Sequence, residues 1–169
     1  MTIEDHRMHT PRTADERTTL TTMLDFHRKT LEMKCEGLTP EQLKTRSVPA
    51  SGLSLLGLVR HAAEVERGWF RNVLGGEDSR SPWNPPGATG RAGFDVDDAD
   101  VEEAFAVWRA ECRRAREIVA AADSLDTTAR HEGETYSVRY VVAHMIEEYA
   151  RHNGHADLLR ESIDGVTGE

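Results

Sequence analysis

The run Ala143-His144-Met-Ile-Glu147-Glu148-Tyr-Ala-Arg151-His152-Asn-Gly154-His155-Ala-Asp157 carries three imidazoles among carboxylates at helical spacing. At about 100° per residue, His152 falls inside the apolar stripe of this segment. Glu148 then lies roughly 40° away and one turn earlier, with His144 and His155 just beyond on the same flank. A buried carboxylate one turn from a buried imidazole is costly unless something pairs with both, and a divalent cation does so. The same spacing also suits a plain Glu–His ion pair on a half-exposed face. A second run, Val59-Arg60-His61-Ala62-Ala63-Glu64-Val65-Glu66-Arg67-Gly68-Trp69, sets His61 on the edge of its own stripe. Ser54, Gly57 and Gly68 share that edge. Their small size predicts a pocket beside the imidazole, and it equally permits close helix packing around a core histidine. Two imidazoles and one carboxylate, with a position left open, are a standard catalytic ligand set for zinc and related metals.

Positioning these side chains requires long helices, and the sequence predicts four. The stripe Leu20, Met23, Leu24, His27, Leu31, Cys35 gives a first helix over about Thr13–Glu36, stopped by Gly37. Thr39-Pro40-Glu41-Gln42 is a cap signal for a short helix or turn. Leu55, Leu58, Val59, Ala62, Val65, Trp69 and Val73 mark a second long helix that ends at Gly75-Gly76. Residues 77–96, with Pro82, Trp83, Pro85 and Pro86, are too punctuated for a regular element and form a long excursion. A third helix fits Asp97 to about Ala122 through Phe105, Trp108, Cys112 and Val119. After a connection over 123–136, Ser137 caps the last helix. With no convincing strand, the expected fold is all-α, a four-helix bundle spanning residues 13–161, with a flexible arm at 1–12 and a flexible tail at 162–169. Bundles build metal and ligand sites from side chains that face their core.

A chain of 169 residues is long enough for one domain with its own core. The net charge of −9 repels phosphate backbones, so nucleic acid is an unsuitable partner. No apolar stretch reaches the length needed to cross a bilayer, and the acidic start lacks the pattern of a secretory signal, so a cytoplasmic protein is expected. Cys35 and Cys112 lie far apart inside helical patterns and read as core thiols, not as a disulfide or a metal pair. Trp69 and Trp108 read as core, while Trp83 suits either a pocket cap or an anchor for its loop. Arg60, Arg67, Arg71, Arg109, Arg113 and Arg114 sit among glutamates and read as salt bridges on solvent faces.

The run Ser51-Gly-Leu-Ser-Leu-Leu-Gly-Leu-Val-Arg-His61 with Val65-Glu-Arg-Gly-Trp69, and the run His144 to Glu161, resemble the signatures of the DinB/YfiT-like superfamily. The resemblance covers about Ala14 to Glu161. It is nearest to an actinobacterial-type branch related to mycothiol-dependent maleylpyruvate isomerase and thiol S-transferases. It implies an up-and-down bundle, often a homodimer, with a divalent metal held by one His of the second long helix and two residues one turn apart on the last. Carried over by position, the ligands are His61, Glu148 and His152. Many members have His where this chain has Glu148, whereas the maleylpyruvate isomerase relatives show Glu four residues before His, as here. His144 and His155 match no ligand position and are left as pocket groups.

The resemblance also implies a reaction. A thiol bound to a divalent cation loses its proton and attacks an electrophile. The partners implied are a low-molecular-weight thiol, mycothiol or bacillithiol, and a small-molecule electrophile. His155 or His144 would shuttle the proton, His155 preferred because it lies one turn beyond His152, and Arg151 would steer an anionic group. Zinc or nickel is the first expectation for the metal, iron or manganese the second. The competing readings are a metal-dependent hydrolase with an activated water and a non-enzymatic, stress-related metal or small-molecule binder.

Overall fold

Helix starts in this chain are set by side-chain caps. Asp15, Thr39, Ser54, Asp100 and Ser137 each accept a hydrogen bond from an amide in the first turn that follows, which a helix otherwise leaves unpaired. At Thr39 the cap is reciprocal, because Gln42 returns a bond to the Thr39 amide. From these starts run α1 (Glu16–Cys35), α2 (Pro40–Lys44), α3 (Leu55–Glu66), α4 (Val101–Ala121) and α5 (Val138–Asp164). The computed structural model describes residues 5, 7–84 and 92–167. Parts of the expected arm (1–4 and 6), of the Pro-rich excursion (85–91) and of the expected tail (168–169) lie outside the described residues.

The chain is mostly helical, but two elements depart from the expectation. The second long helix changes winding after Glu66 and continues to Leu74 as a π-helix, closed by the Gly75 amide on the Phe70 carbonyl at 2.9 Å. Residues 123–136 also contain a hairpin, β1 (Thr128–His131) paired antiparallel with β2 (Glu134–Ser137). Its two-residue turn has φ of 49° at Glu132 and 89° at Gly133, the left-handed pair that matches the twist of a tight hairpin. The strands escape a sequence reading because Thr-Ala-Arg-His and Glu-Thr-Tyr-Ser are short and each carries a single apolar or aromatic residue among polar ones.

α1 packs along α5, α4 along α3, and α3 against α5. Leu31, Leu55, Leu56, Leu58, Val59, Phe70, Trp108 and Met145 form the centre of one continuous core. Met23, expected in the α1 stripe, stays exposed, and the polar Arg28 is buried instead. Among the described residues no helix is long and apolar enough to cross a membrane.

Candidate metal centre

α3 and α5 run antiparallel, and their ring contacts fix the register. His61 meets His152 with ring centroids 4.7 Å apart, and two turns along the seam Trp69 meets His144 at 4.6 Å. Because Ser54 starts α3 and Ser137 starts α5, His61 and the Glu148–His152 pair come level in the middle of this seam. The Nε2 atoms of His61 and His152 stand 3.7 Å and 3.5 Å from the same carboxylate oxygen, Oε2 of Glu148. All three potential ligand atoms lie within 4.8 Å of one another.

Those separations are too long for good hydrogen bonds. They are close to the roughly 3.4 Å edge that 2.0–2.1 Å bonds and a tetrahedral angle give between two ligands of one ion. The cluster borders a small cavity of about 10 Å³ walled by Leu31, Leu58, Ala62, Val65 and Tyr149, on the scale of a single water-sized occupant. Burial pushes both imidazoles below their ordinary pKa, against the pull of Glu148. His152, which also feels the His61 ring, comes down to about 4. Both rings are therefore neutral at neutral pH, the state in which imidazole ligates a metal. Two neutral imidazoles and a carboxylate, half-buried and aimed at one point, fit a divalent cation.

His155 joins the cluster from outside: its Nδ1 lies 3.3 Å from Nδ1 of His152, one ring donating and the other accepting. This contact engages one nitrogen of His152 while the other faces Glu148. His144 is not brought to the three. It packs against Trp69 and lies parallel to Tyr140 at 6.0 Å, with Nδ1 3.9 Å from Glu147. Arg151 is exposed to solvent, with its guanidinium 3.6 Å from Glu147.

The room expected beside Gly57 is taken by the chain itself. A Cβ at Gly57 would sit 3.2 Å from the Phe94 ring and 3.1 Å from Ser54 Oγ, whereas at Gly68 it would meet nothing. Phe94, from the 3₁₀ turn Ala92–Phe94, stacks on His61 with centroids 5.2 Å apart. Gly57 thus admits a ring that orients the imidazole. No spacing rule links Phe94 to His61, so sequence reasoning missed it.

Two arginines assigned to solvent faces are buried. Arg60 lies with its guanidinium 4.7 Å above the Trp83 ring and donates to the Asp95 carbonyl, so Trp83 anchors its loop; Arg67 pairs with Glu64. Glu64 also accepts from Ser81 Oγ at 2.6 Å, tying residues 81–84 to α3. Behind the cluster, Glu66 and Arg28 form a fully buried ion pair that the sequence reading did not find. Its signal was present: one charge within the apolar stripe of each of two helices.

A family model described as MST, mycothiol-S-transferase, matches residues 19–165 of the chain. No curated protein matches it.

Proposed function

Because the chain belongs to the mycothiol-S-transferase family, a DinB/YfiT-like family, we propose that it transfers mycothiol, or a similar low-molecular-weight thiol, to a small electrophile at the His61–Glu148–His152 centre. The convergence of these three side chains on one point carries the reading. A divalent cation held by them, zinc or nickel first and iron or manganese second, would supply a lowered thiol pKa, hence a thiolate at neutral pH. The reaction forms a sulfur–carbon bond at the cost of the thiol S–H, whose proton passes to the electrophile or its leaving group.

The chain's own residues have separable tasks. His61 and His152 present neutral imidazoles, and Glu148 supplies the negative charge that offsets a cation. His155 acts as a positioning residue through Nδ1 of His152. Phe94 holds the His61 ring, and Leu31, Leu58, Ala62 and Val65 keep water from the inner side of the centre. His144, beside Trp69 and Tyr140, belongs to an aromatic cluster two turns away, and Arg151 has no part in holding the centre. We further read the four long helical segments as an up-and-down four-helix bundle, active as a homodimer in a reducing cytoplasm, which suits two free buried cysteines.

Turnover of quinones and bimanes with mycothiol, with glutathione and with no added thiol tests the reading on protein whose metal content has been measured. Thiol-dependent turnover that Glu148→Ala abolishes is the expected result. Activity without thiol points to the hydrolase, and metal binding with no turnover across the panel points to the binder; either outcome overturns the transferase. One bound ion per chain in the native protein and none in His152→Ala is expected from elemental analysis. Sedimentation at about 19 kDa, the mass of one chain, would contradict the dimer.

A further inference from the structure

α1 and α4 run side by side, yet each packs its apolar stripe mainly elsewhere, α1 on α5 and α4 on α3. Between the two, ion pairs do much of the joining: Arg116 with Asp25 at 2.9 Å and Arg109 with Glu32 at 2.9 Å. Beneath these bridges lie two cavities of about 320 Å³ and about 300 Å³, each the size of a small-ligand pocket. They share Arg28 and Arg116 in their walls and are therefore adjoining parts of one groove.

The two parts differ in chemistry. The larger has an apolar floor of Leu24, Phe70, Ala115, Val119 and Val142. The smaller has Trp108 and Cys112 in its wall and is rimmed by Lys29, Arg109 and Arg113. Taken together the walls carry six cationic side chains against two carboxylates, Asp25 and Glu32, in a chain whose net charge is −9. Arg109, Arg113 and Arg116 stand at i, i+4 and i+7, so α4 presents them along one face. Arg109 and Arg116 are held by carboxylates, but Arg113 is exposed and makes no ion pair among the described residues.

We propose that the α1/α4 groove binds a small organic anion with an apolar body, its head on Arg113 between Arg109 and Arg116 and its body in the apolar cavity. Charge-assisted contacts to guanidinium supply the recognition of the head, and burial of the body supplies much of the affinity. Open volumes of this size suit a small molecule, and the acidic field of the whole chain disfavours a nucleic acid. The site is separate from the centre on the α3/α5 seam and does not depend on it.

The test uses the full chain and the fluorescence of 1-anilinonaphthalene-8-sulfonate as the probe, displaced by dodecanoate or by dodecanol. Saturable binding is expected, with dodecanoate displacing the probe at concentrations about tenfold or more below those of dodecanol, since one charge-assisted bond is worth that much. Arg113→Glu should weaken dodecanoate about tenfold or more and leave dodecanol unchanged, while Arg113→Lys, which keeps the charge but loses the fork, weakens it less than Arg113→Glu does. Helical circular dichroism of both variants checks that the fold is intact, as the exposure of Arg113 implies. His152→Ala should leave all of these values unchanged. Equal displacement by acid and alcohol, indifference to Arg113→Glu, loss in His152→Ala, or no saturable binding each overturns the proposal.

Discussion

Arg28 donates from Nε and Nη2 to the two oxygens of Glu66, at 2.7 Å and 2.6 Å, where the Glu66 side chain has no exposure to water. Tyr149 donates to the same carboxylate at 2.8 Å and accepts from Trp108 Nε1 at 2.8 Å, so the pair is the centre of a network across α1, α3, α4 and α5. Tyr149 is also a wall of the cavity beside His61 and His152 and the residue next to Glu148. The network therefore pins the part of α5 that presents the candidate ligands.

Removing Arg28 leaves the Glu66 charge buried without a cation, whereas removing Glu66 leaves Arg28 its second pair, with Asp25 at 2.8 Å. Arg28→Met is expected to cost about 3–5 kcal/mol in urea unfolding, Glu66→Leu less because Arg28 keeps Asp25, and the two together far less than the sum of the singles. Single variants within about 0.5 kcal/mol of the native protein would show that the pair does not hold the helices together.

The contact between His155 and His152 gives a second expectation. His155→Phe keeps a ring of similar size but removes the Nδ1 partner, so metal affinity should fall about 10- to 100-fold while one ion per chain is still bound at saturation. Competition with a chelator measures the first quantity and elemental analysis the second. Unchanged affinity would mean that His155 does not orient the His152 ring.

Both cysteines are expected to be chemically silent in the folded protein. Burial disfavours the thiolate, pushing Cys35 up to about 12 and Cys112 further still, the latter aided by the nearby Glu66 carboxylate. Because the pKa values are raised, the thiolate fraction stays negligible from pH 7 to about pH 9, where a free cysteine with pKa near 8.5 is largely ionised. A thiol-reactive reagent should label neither residue over that range and two per chain in denaturant, read by mass spectrometry. Labelling of native protein near pH 8 would contradict the burial.

The hairpin turn predicts opposite effects at neighbouring positions. Gly133 has φ of 89°, so Gly133→Val should lower stability by about 1–2 kcal/mol. Glu132, at 49°, holds a conformation that Asn adopts more easily, and Glu132→Asn should raise stability by a few tenths of a kcal/mol. Thermal unfolding of the two variants checks both signs.

Local order in this protein was legible from sequence wherever a short-range rule governs it. Thr39-Pro40-Glu41-Gln42 announces a reciprocal cap, Ser137 starts α5, and the stripes through Leu58 and Met145 mark faces that are buried. The i, i+4 spacing of Glu148 and His152 and the stripe edge at His61 singled out three side chains that the fold brings within 4.8 Å. The change to π-winding at Arg67 and the hairpin at 128–137 were not legible, since each depends on how the segment packs and not on its periodicity. Only the tertiary structure decided the partners that lie far apart in the chain. Phe94 on His61, Trp83 under Arg60, and Arg28 on Glu66 are each set by which helices and loops become neighbours. The same holds for the α1/α4 groove: helical spacing places Arg109, Arg113 and Arg116 on one face, but whether that face meets solvent, a carboxylate or a cavity depends on what α1 does across from it. Sequence periodicity fixes the direction of a side chain about its own helix axis, and the energy of burying a charge is then settled by whatever the rest of the chain places opposite.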